Sequence, residues 1–85
     1  MQIMPSAPQP APGKFARAVS AQVRSSMARQ RISGAQLADM IGRSQSYISK
    51  RLRDESSFTA NDCESICEAL GEDLAQLVVA AARSI

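Results

Sequence analysis

The segment Ser44–Arg53 carries the greatest concentration of hydrogen-bonding and cationic side chains in the chain. Hydroxyl and amide groups lie at its start, and Lys and Arg follow at its end. Together they offer donors and positive charge to a polyanion. Only Ile48 and Leu52 are clearly apolar, and their separation of four residues is helical spacing. The segment therefore predicts a short helix with a thin apolar stripe and a wide polar face.

A helical wheel separates the two faces of this predicted helix. The side chains that point away from Ile48 are Ser46, Ser49, Lys50 and Arg53. The apolar stripe is just wide enough to dock the helix on a core, and the opposite face stays polar. That polarity leaves the outer face available to a polar or charged partner.

Charge is distributed unevenly along the chain. The net charge is only +2. Residues 1–53 contain nine Lys or Arg and one acid, a net charge of +8, whereas residues 54–85 contain one Arg and seven acids, a net charge of −6. The basic part favours a polyanion partner, although a solvated basic face without a partner has the same composition.

Composition restricts the class of protein. The chain has 85 residues, 45% of them hydrophobic and 4% aromatic, which favours one small all-α domain with an aliphatic core. There is no His, and Cys63 and Cys67 alone are a poor zinc set, so we expect no metal and buried, reduced thiols. We find no catalytic set, cofactor motif, small-molecule site, membrane-spanning run or signal peptide. We therefore expect a non-enzymatic cytoplasmic protein.

Helix signals divide the chain into a tail and a domain. All four prolines lie within residues 1–13, which predicts a flexible, disordered Pro/Ala-rich tail. From residue 14 to 85 the apolar spacing predicts a compact bundle of about five short helices without strands. The first helix is expected at about 14–30. Thr59 with Asp62 resembles another helix start, and the last helix begins at about Asp73.

Two of these helices form the outline of a helix-turn-helix at about 33–53. Ser33 and Gln36 form a possible capping box for the second helix, and Ser44 is a possible N-cap for the third. Gly42 suits a left-handed turn between them. Ala38 is small enough to let the two helices cross closely. Two short helices joined in this way are typical of the motif.

The sequence "LADMIGRSQSYISKRL" resembles the helix-turn-helix of the Cro/phage-repressor (lambda repressor-like) family of DNA-binding proteins. The segment "FTANDCESICEALGEDLAQL" is similar to that family's fourth and fifth helices, so the resemblance covers about residues 15–80. It implies sequence-specific binding of a double-stranded DNA operator by a phage-type or Cro-like transcriptional repressor, in a bacterial cell or phage-infected host. The third helix would read the major groove.

The resemblance also implies roles for individual residues. The positions expected to read bases are Gln45, Ser46, Ser49 and Lys50. The positions expected to bind phosphate are Gln36, Arg43, Ser44, Tyr47, Arg51 and Arg53. Several have alternatives: Ser44 as a cap alone, Tyr47 in packing, and Arg51 in a pair with Asp54 or Glu55.

Three positions depart from the family pattern. Gly34 stands where the family often has a phosphate-binding Gln, a role that Gln36 could take. Arg51 stands at an often apolar position. Asp54 stands where a glycine commonly ends the third helix, which leaves the following turn undefined.

The resemblance further implies a dimer, for which the last helix is the candidate surface. The residues expected at the homodimer contact are Leu77, Val78, Ala81 and Ile85. The alternative is that this helix packs only on Phe15 and Val19 of its own chain. An alternative function is that of an antitoxin or adaptor module, whose partner binds the acidic C-terminal half.

Overall fold

The structure is a computed structural model that describes residues 10–85. These residues form five α-helices and no strand, so the predicted all-α bundle is confirmed. The helices are α1 (Lys14–Gln30), α2 (Gly34–Ile41), α3 (Gln45–Leu52), α4 (Ala60–Leu70) and α5 (Leu74–Arg83). Pro10–Gly13 form no regular element. Most of the predicted disordered tail, residues 1–9, lies outside the described residues.

Side-chain caps fix the start of α2 as predicted. The backbone N–H of Gln36 donates to the Ser33 hydroxyl at 3.1 Å, and the N–H of Ser33 donates to the Gln36 side-chain oxygen at 2.8 Å. This is a complete capping box, which satisfies two otherwise unpaired donors. The helix ends at Gly42, whose φ of 71° lies in the left-handed region.

The turn after α2 leads at once into α3. The backbone N–H of Tyr47 donates to the Ser44 hydroxyl at 3.1 Å, which confirms Ser44 as the N-cap. At the other end, Asp54 has a φ of 60°. A non-glycine residue therefore adopts the left-handed conformation that ends α3, at the position where the family commonly has glycine.

One apolar core joins the helices. Val23, Leu37, Ile48 and Ile66 are fully buried and come from α1, α2, α3 and α4. Ala38 is also buried, consistent with close crossing of α2 and α3. Ile48 is the one residue of α3 that reaches full burial, and the partly buried Tyr47 and Leu52 of the same helix also pack against the core.

The residues of α5 that were expected at a dimer contact include both buried and exposed side chains. Leu77 and Ala81 are buried in the core of their own chain, so they cannot form that contact, and this part of the prediction is wrong. Val78 and Ile85 are exposed, as are the neighbouring Leu74 and Val79. Two of the four expected residues, Val78 and Ile85, therefore belong to the exposed apolar surface of α5 and the residues that follow it.

Candidate nucleic-acid interface

The outer face of α3 presents polar side chains, as its sequence predicted. Gln45, Ser46 and Lys50 are exposed, and Ser49 is half-buried. Residues three and four positions apart on a helix are neighbours, so these side chains form one continuous surface. Because Ile48 points into the core, this surface faces away from the protein.

The end of this surface is closed by a contact between two predicted DNA-binding residues. The Arg53 guanidinium donates to the Ser49 hydroxyl and, through Nε, to the Glu55 carboxylate at 2.6 Å. The Glu55 side chain is 52% exposed, and the Arg53 guanidinium beside it lowers the pKa of its carboxyl. Exposed pairs of this kind contribute little to stability. Arg53 can therefore exchange Glu55 for another anion at small cost.

A buried carboxylate lies behind the start of α3. Asp62, in the first turn of α4, has a side chain that is only 1% exposed. Its Oδ2 accepts a hydrogen bond from the Tyr47 hydroxyl at 2.6 Å and from the Thr59 backbone N–H at 3.0 Å. Its Oδ1 lies 3.3 Å from Nη2 of Arg43. One side chain of α4 thus connects the turn, α3 and its own helix.

The partners of Asp62 keep it ionised. Burial alone would raise the pKa of its carboxyl, but hydrogen bonds from Tyr47 and Thr59, together with the Arg43 charge, lower the pKa below its usual value. The pKa of Tyr47 is raised, first by burial and then by its hydrogen bond to Asp62. The phenol therefore stays protonated and continues to donate.

Arg51 belongs to this same buried cluster. Its guanidinium carbon lies 3.4 Å from the centre of the Tyr47 ring, and its Nη1 donates to the Tyr47 carbonyl at 3.1 Å. Its Nε lies 4.0 Å from Asp62, and the side chain is 15% exposed. The expected alternative partners, Asp54 and Glu55, pair with other arginines. Arg51 thus points inward, because stacking on Tyr47 and attraction to Asp62 hold it there.

A second set of contacts holds the C-terminal end of α3. The Ser20 hydroxyl of α1 donates to the Arg51 carbonyl at 3.1 Å, and Nη1 of Arg24 donates to the Leu52 carbonyl at 2.7 Å. Such donors stabilise carbonyls at a helix end, and the Arg51 carbonyl also accepts from the Asp54 backbone N–H at 3.2 Å. Arg24 also lies 3.6 Å from Asp54. Both ends of α3 are therefore fixed by side chains from other helices.

Three of the six residues expected to bind phosphate lie near the start of α3, two lie near its end, and Gln36 lies on α2. Arg43 is half-exposed, and Ser44 is exposed while its hydroxyl caps the helix. The side-chain oxygen of Gln36 is used in the α2 capping box. Tyr47 is half-buried, and its hydroxyl is engaged by Asp62. Ser44 and Tyr47 thus already have internal roles.

The folded chain brings its basic and acidic parts together. Four of the seven acids in residues 54–85 form ion pairs with arginines from residues 1–53. They are Asp54, Glu55, Asp62 and Glu72. Much of the charge asymmetry along the sequence is therefore neutralised within the fold, which reduces the acidic surface available to a protein partner.

Comparisons with known proteins agree with this geometry. A family model described as helix-turn-helix, of the Cro/C1 type, matches residues 23–77. The chain belongs to this helix-turn-helix family. The match contains α2 and α3 as well as the Asp62 cluster. No curated protein sequence matches the chain.

Two crystal structures of the clp gene regulator ClgR from Corynebacterium glutamicum are similar to this helix-turn-helix chain. The first is 27% identical to this chain, with a TM-score of 0.77, and the match covers 87% of this chain and 96% of the ClgR chain. The second is 29% identical, with a TM-score of 0.77, and the match covers 88% of this chain and 79% of that ClgR chain. The family match and these neighbours support DNA-binding transcriptional regulation as the general function.

The helix-turn-helix contains supporting residues that sequence reasoning missed. Asp62 was recognised only as the partner of Thr59 in a helix cap, a role that it does have. Ser20 and Arg24 had no assigned role. The available signal was indirect: Ser20 lies among buried positions of α1, where a polar side chain needs a hydrogen-bond partner.

Helix hydropathy, possible metal ligands and the two thiols are the other features of the described residues that bear on function. No helix among them has the length and apolar character needed to cross a membrane. They contain no group of three or more side chains placed to hold a metal ion. Cys67 is buried and Cys63 is half-buried, and burial raises the pKa of both thiols.

Asp62 makes the stability of the helix-turn-helix domain dependent on acid. Because its folded-state pKa is lowered, its contribution is present above the unfolded pKa of about 3.9 and is lost as pH falls through the folded value. We expect the difference in unfolding free energy between wild type and Asp62→Asn to be constant from neutral pH to about 5 and to shrink below about 4. Urea unfolding across this range measures it. Parallel curves down to the lowest pH would contradict the assignment.

Proposed function

We propose that the chain binds double-stranded DNA in a sequence-specific manner as a transcriptional regulator, with α3 in the major groove. The observation that carries this proposal is the arrangement of α3. Its exposed polar face lies opposite a fully buried Ile48, and other helices hold both its ends. A rigid helix that presents hydrogen-bonding side chains outward is suited to reading base edges.

The proposed reading residues have distinct chemistry. Gln45 can pair with adenine through its amide, and Lys50 can donate to guanine O6 and N7. Ser46 can contact several bases. Ser49 is a weaker candidate because its hydroxyl already accepts from Arg53.

The proposed phosphate contacts are fewer than the sequence suggested. We retain Arg43, Ser44 and Arg53, along with the free amide group of Gln36. Ser44 stays because its backbone lies at the start of α3, where the helix dipole favours anions. We leave out Tyr47, because its hydroxyl donates to Asp62, and Arg51, because its guanidinium stacks on Tyr47 with only 15% of the side chain exposed.

The first experiment is a selection from a pool of random DNA duplexes at about 0.15 M salt, where non-specific binding is weakened. We expect recovery of a short motif. Salt-sensitive binding without any motif would indicate non-specific DNA binding instead. Complete lack of binding would contradict the proposal and direct attention to the acidic half as an antitoxin or adaptor surface.

Repression is the proposed mode of regulation, as in the Cro/phage-repressor family that the sequence resembles. A regulator bound to an operator can exclude other proteins from the same DNA. A reporter gene placed downstream of the selected motif provides the test. Expression should fall when the chain is supplied, and a rise in expression would identify an activator instead.

We also propose that the regulator works as a homodimer through an apolar patch consisting of Phe15, Leu74 and Val78. Each of these side chains is more than a third exposed. All three line a groove of about 420 Å³ between α1, α4 and α5. Contiguous exposed apolar surface commonly marks an interface. A two-fold dimer would also match the symmetry of a paired operator site.

A charge introduced into the patch should prevent this dimer. We expect wild type to approach twice its 9.1 kDa mass at high concentration and Val78→Glu to remain monomeric. Gln76→Glu is the matched control, since it adds the same charge to α5 outside the patch. Sedimentation equilibrium measures the mass. A wild-type chain that stays monomeric at every concentration would contradict the proposed dimer.

A further inference from the structure

The contact between Arg43 and Asp62 links the protein interior to the rim of the proposed DNA surface. Asp62 is almost completely buried, whereas the Arg43 side chain is 44% exposed. Arg43 lies immediately before the N-cap of α3. The buried carboxylate thus restrains an exposed cation at the point where α3 would approach the DNA backbone.

The geometry leaves Arg43 able to bind two anions at once. A guanidinium has five N–H donors in a planar fork, and the Asp62 contact occupies Nη2 at 3.3 Å. The guanidinium carbon also lies 4.6 Å from the centre of the Tyr47 ring, which limits its rotation. The remaining donors are free to meet a phosphate from a fixed position.

We propose that Asp62 is a positioning residue for DNA recognition: it restrains Arg43 and thereby favours one register of α3 on DNA over loose binding to the backbone. This inference rests on the proposed DNA-binding function. A restrained Arg43 reaches a phosphate only where the duplex is correctly placed against α3. A released Arg43 would contact phosphates in many placements, which strengthens binding without adding selectivity.

Asp62→Asn separates these two situations. An Asn oxygen at the place of Oδ2 can still accept from Tyr47 and Thr59, while the amide group at the place of Oδ1 no longer attracts Arg43. One additional phosphate contact steepens the fall of log affinity with log salt concentration by about 0.9. This corresponds to about a fivefold gain in affinity at about 0.15 M salt. We expect this gain on a random-sequence duplex and no gain on the best selected duplex.

Arg43→Lys is a second variant that leaves Asp62 and the net charge unchanged. A lysine ammonium cannot bridge Asp62 and a phosphate with the planar geometry of the guanidinium. Because residue 43 is half-exposed, folding should be unaffected. We expect the ratio of selected to random affinity to fall severalfold, mainly through weaker binding of the selected duplex.

Fluorescence anisotropy titrations of both duplexes over a range of salt concentrations provide the measurement, at a temperature where thermal scans show every variant folded. The double variant Asp62→Asn/Arg43→Gln should lose the gain on the random duplex. The inference is overturned if either single variant changes both affinities by the same factor, as a purely structural role would require. If wild type itself does not distinguish the duplexes, the proposed function fails as well.

Discussion

Replacement of Ile48 by Ala should lower the unfolding free energy by about 2–5 kcal/mol. Ile48 is fully buried and is the main apolar anchor of α3. Its truncation removes apolar contacts and leaves a cavity between α3 and the core. Since small domains have total stabilities of about 5–15 kcal/mol, this loss should bring the chain close to unfolding.

Urea unfolding followed by circular dichroism measures the effect. Met40→Ala on α2 is the matched control, because Met40 is 49% exposed and its truncation should change stability by no more than about 0.5 kcal/mol. DNA binding by Ile48→Ala should be weakened even at urea concentrations below the unfolding midpoint, because α3 loses its fixed position. Equal stability of the two variants would show that α3 is not anchored in this way.

The double variant Gln45→Ala/Lys50→Ala should lose about 2–6 kcal/mol of binding energy for the selected duplex, with about 1–3 kcal/mol from each residue. Both side chains are exposed on the outer face of α3, so their removal should leave stability nearly unchanged. Binding to random duplexes should fall far less. Competition titrations of the two duplexes separate these effects.

Arg83→Ala is the matched control for charge. Arg83 is exposed near the end of α5, and its removal lowers the net charge by the same one unit as the loss of Lys50. We expect it to weaken both duplexes equally and only slightly. If the Arg83 variant and the double variant behaved alike, the contribution of α3 would be general charge rather than base reading.

The helices were predictable because local signals determine them. Ser33, Ser44, Thr59 and Asp73 cap helices by hydrogen bonds within three residues, and each was visible in the sequence as a candidate helix start. Gly42 provides a left-handed stop where only local geometry matters. The order of helices and the polar face of α3 follow from apolar spacing alone.

Features that depend on tertiary contacts were not predictable in the same way. Nothing local in the sequence indicates that Asp62, besides capping α4, engages Arg43 and Tyr47 from positions 19 and 15 residues earlier. The left-handed backbone conformation of Arg31 and Asp54 was not predictable either, because neither residue is a glycine. The expected dimer contact on α5 wrongly included buried residues, because Leu77 and Val78 are equally apolar and only packing on α1 distinguishes them.

The proposed function requires α3 to read DNA sequence. We would test this by running the random-duplex selection in parallel with wild type and Lys50→Ala. We expect both proteins to recover the same motif except at one base pair in each half-site, where the preference of the Lys50→Ala variant is lost. Two identical motifs would contradict the claim that Lys50 on α3 reads a base.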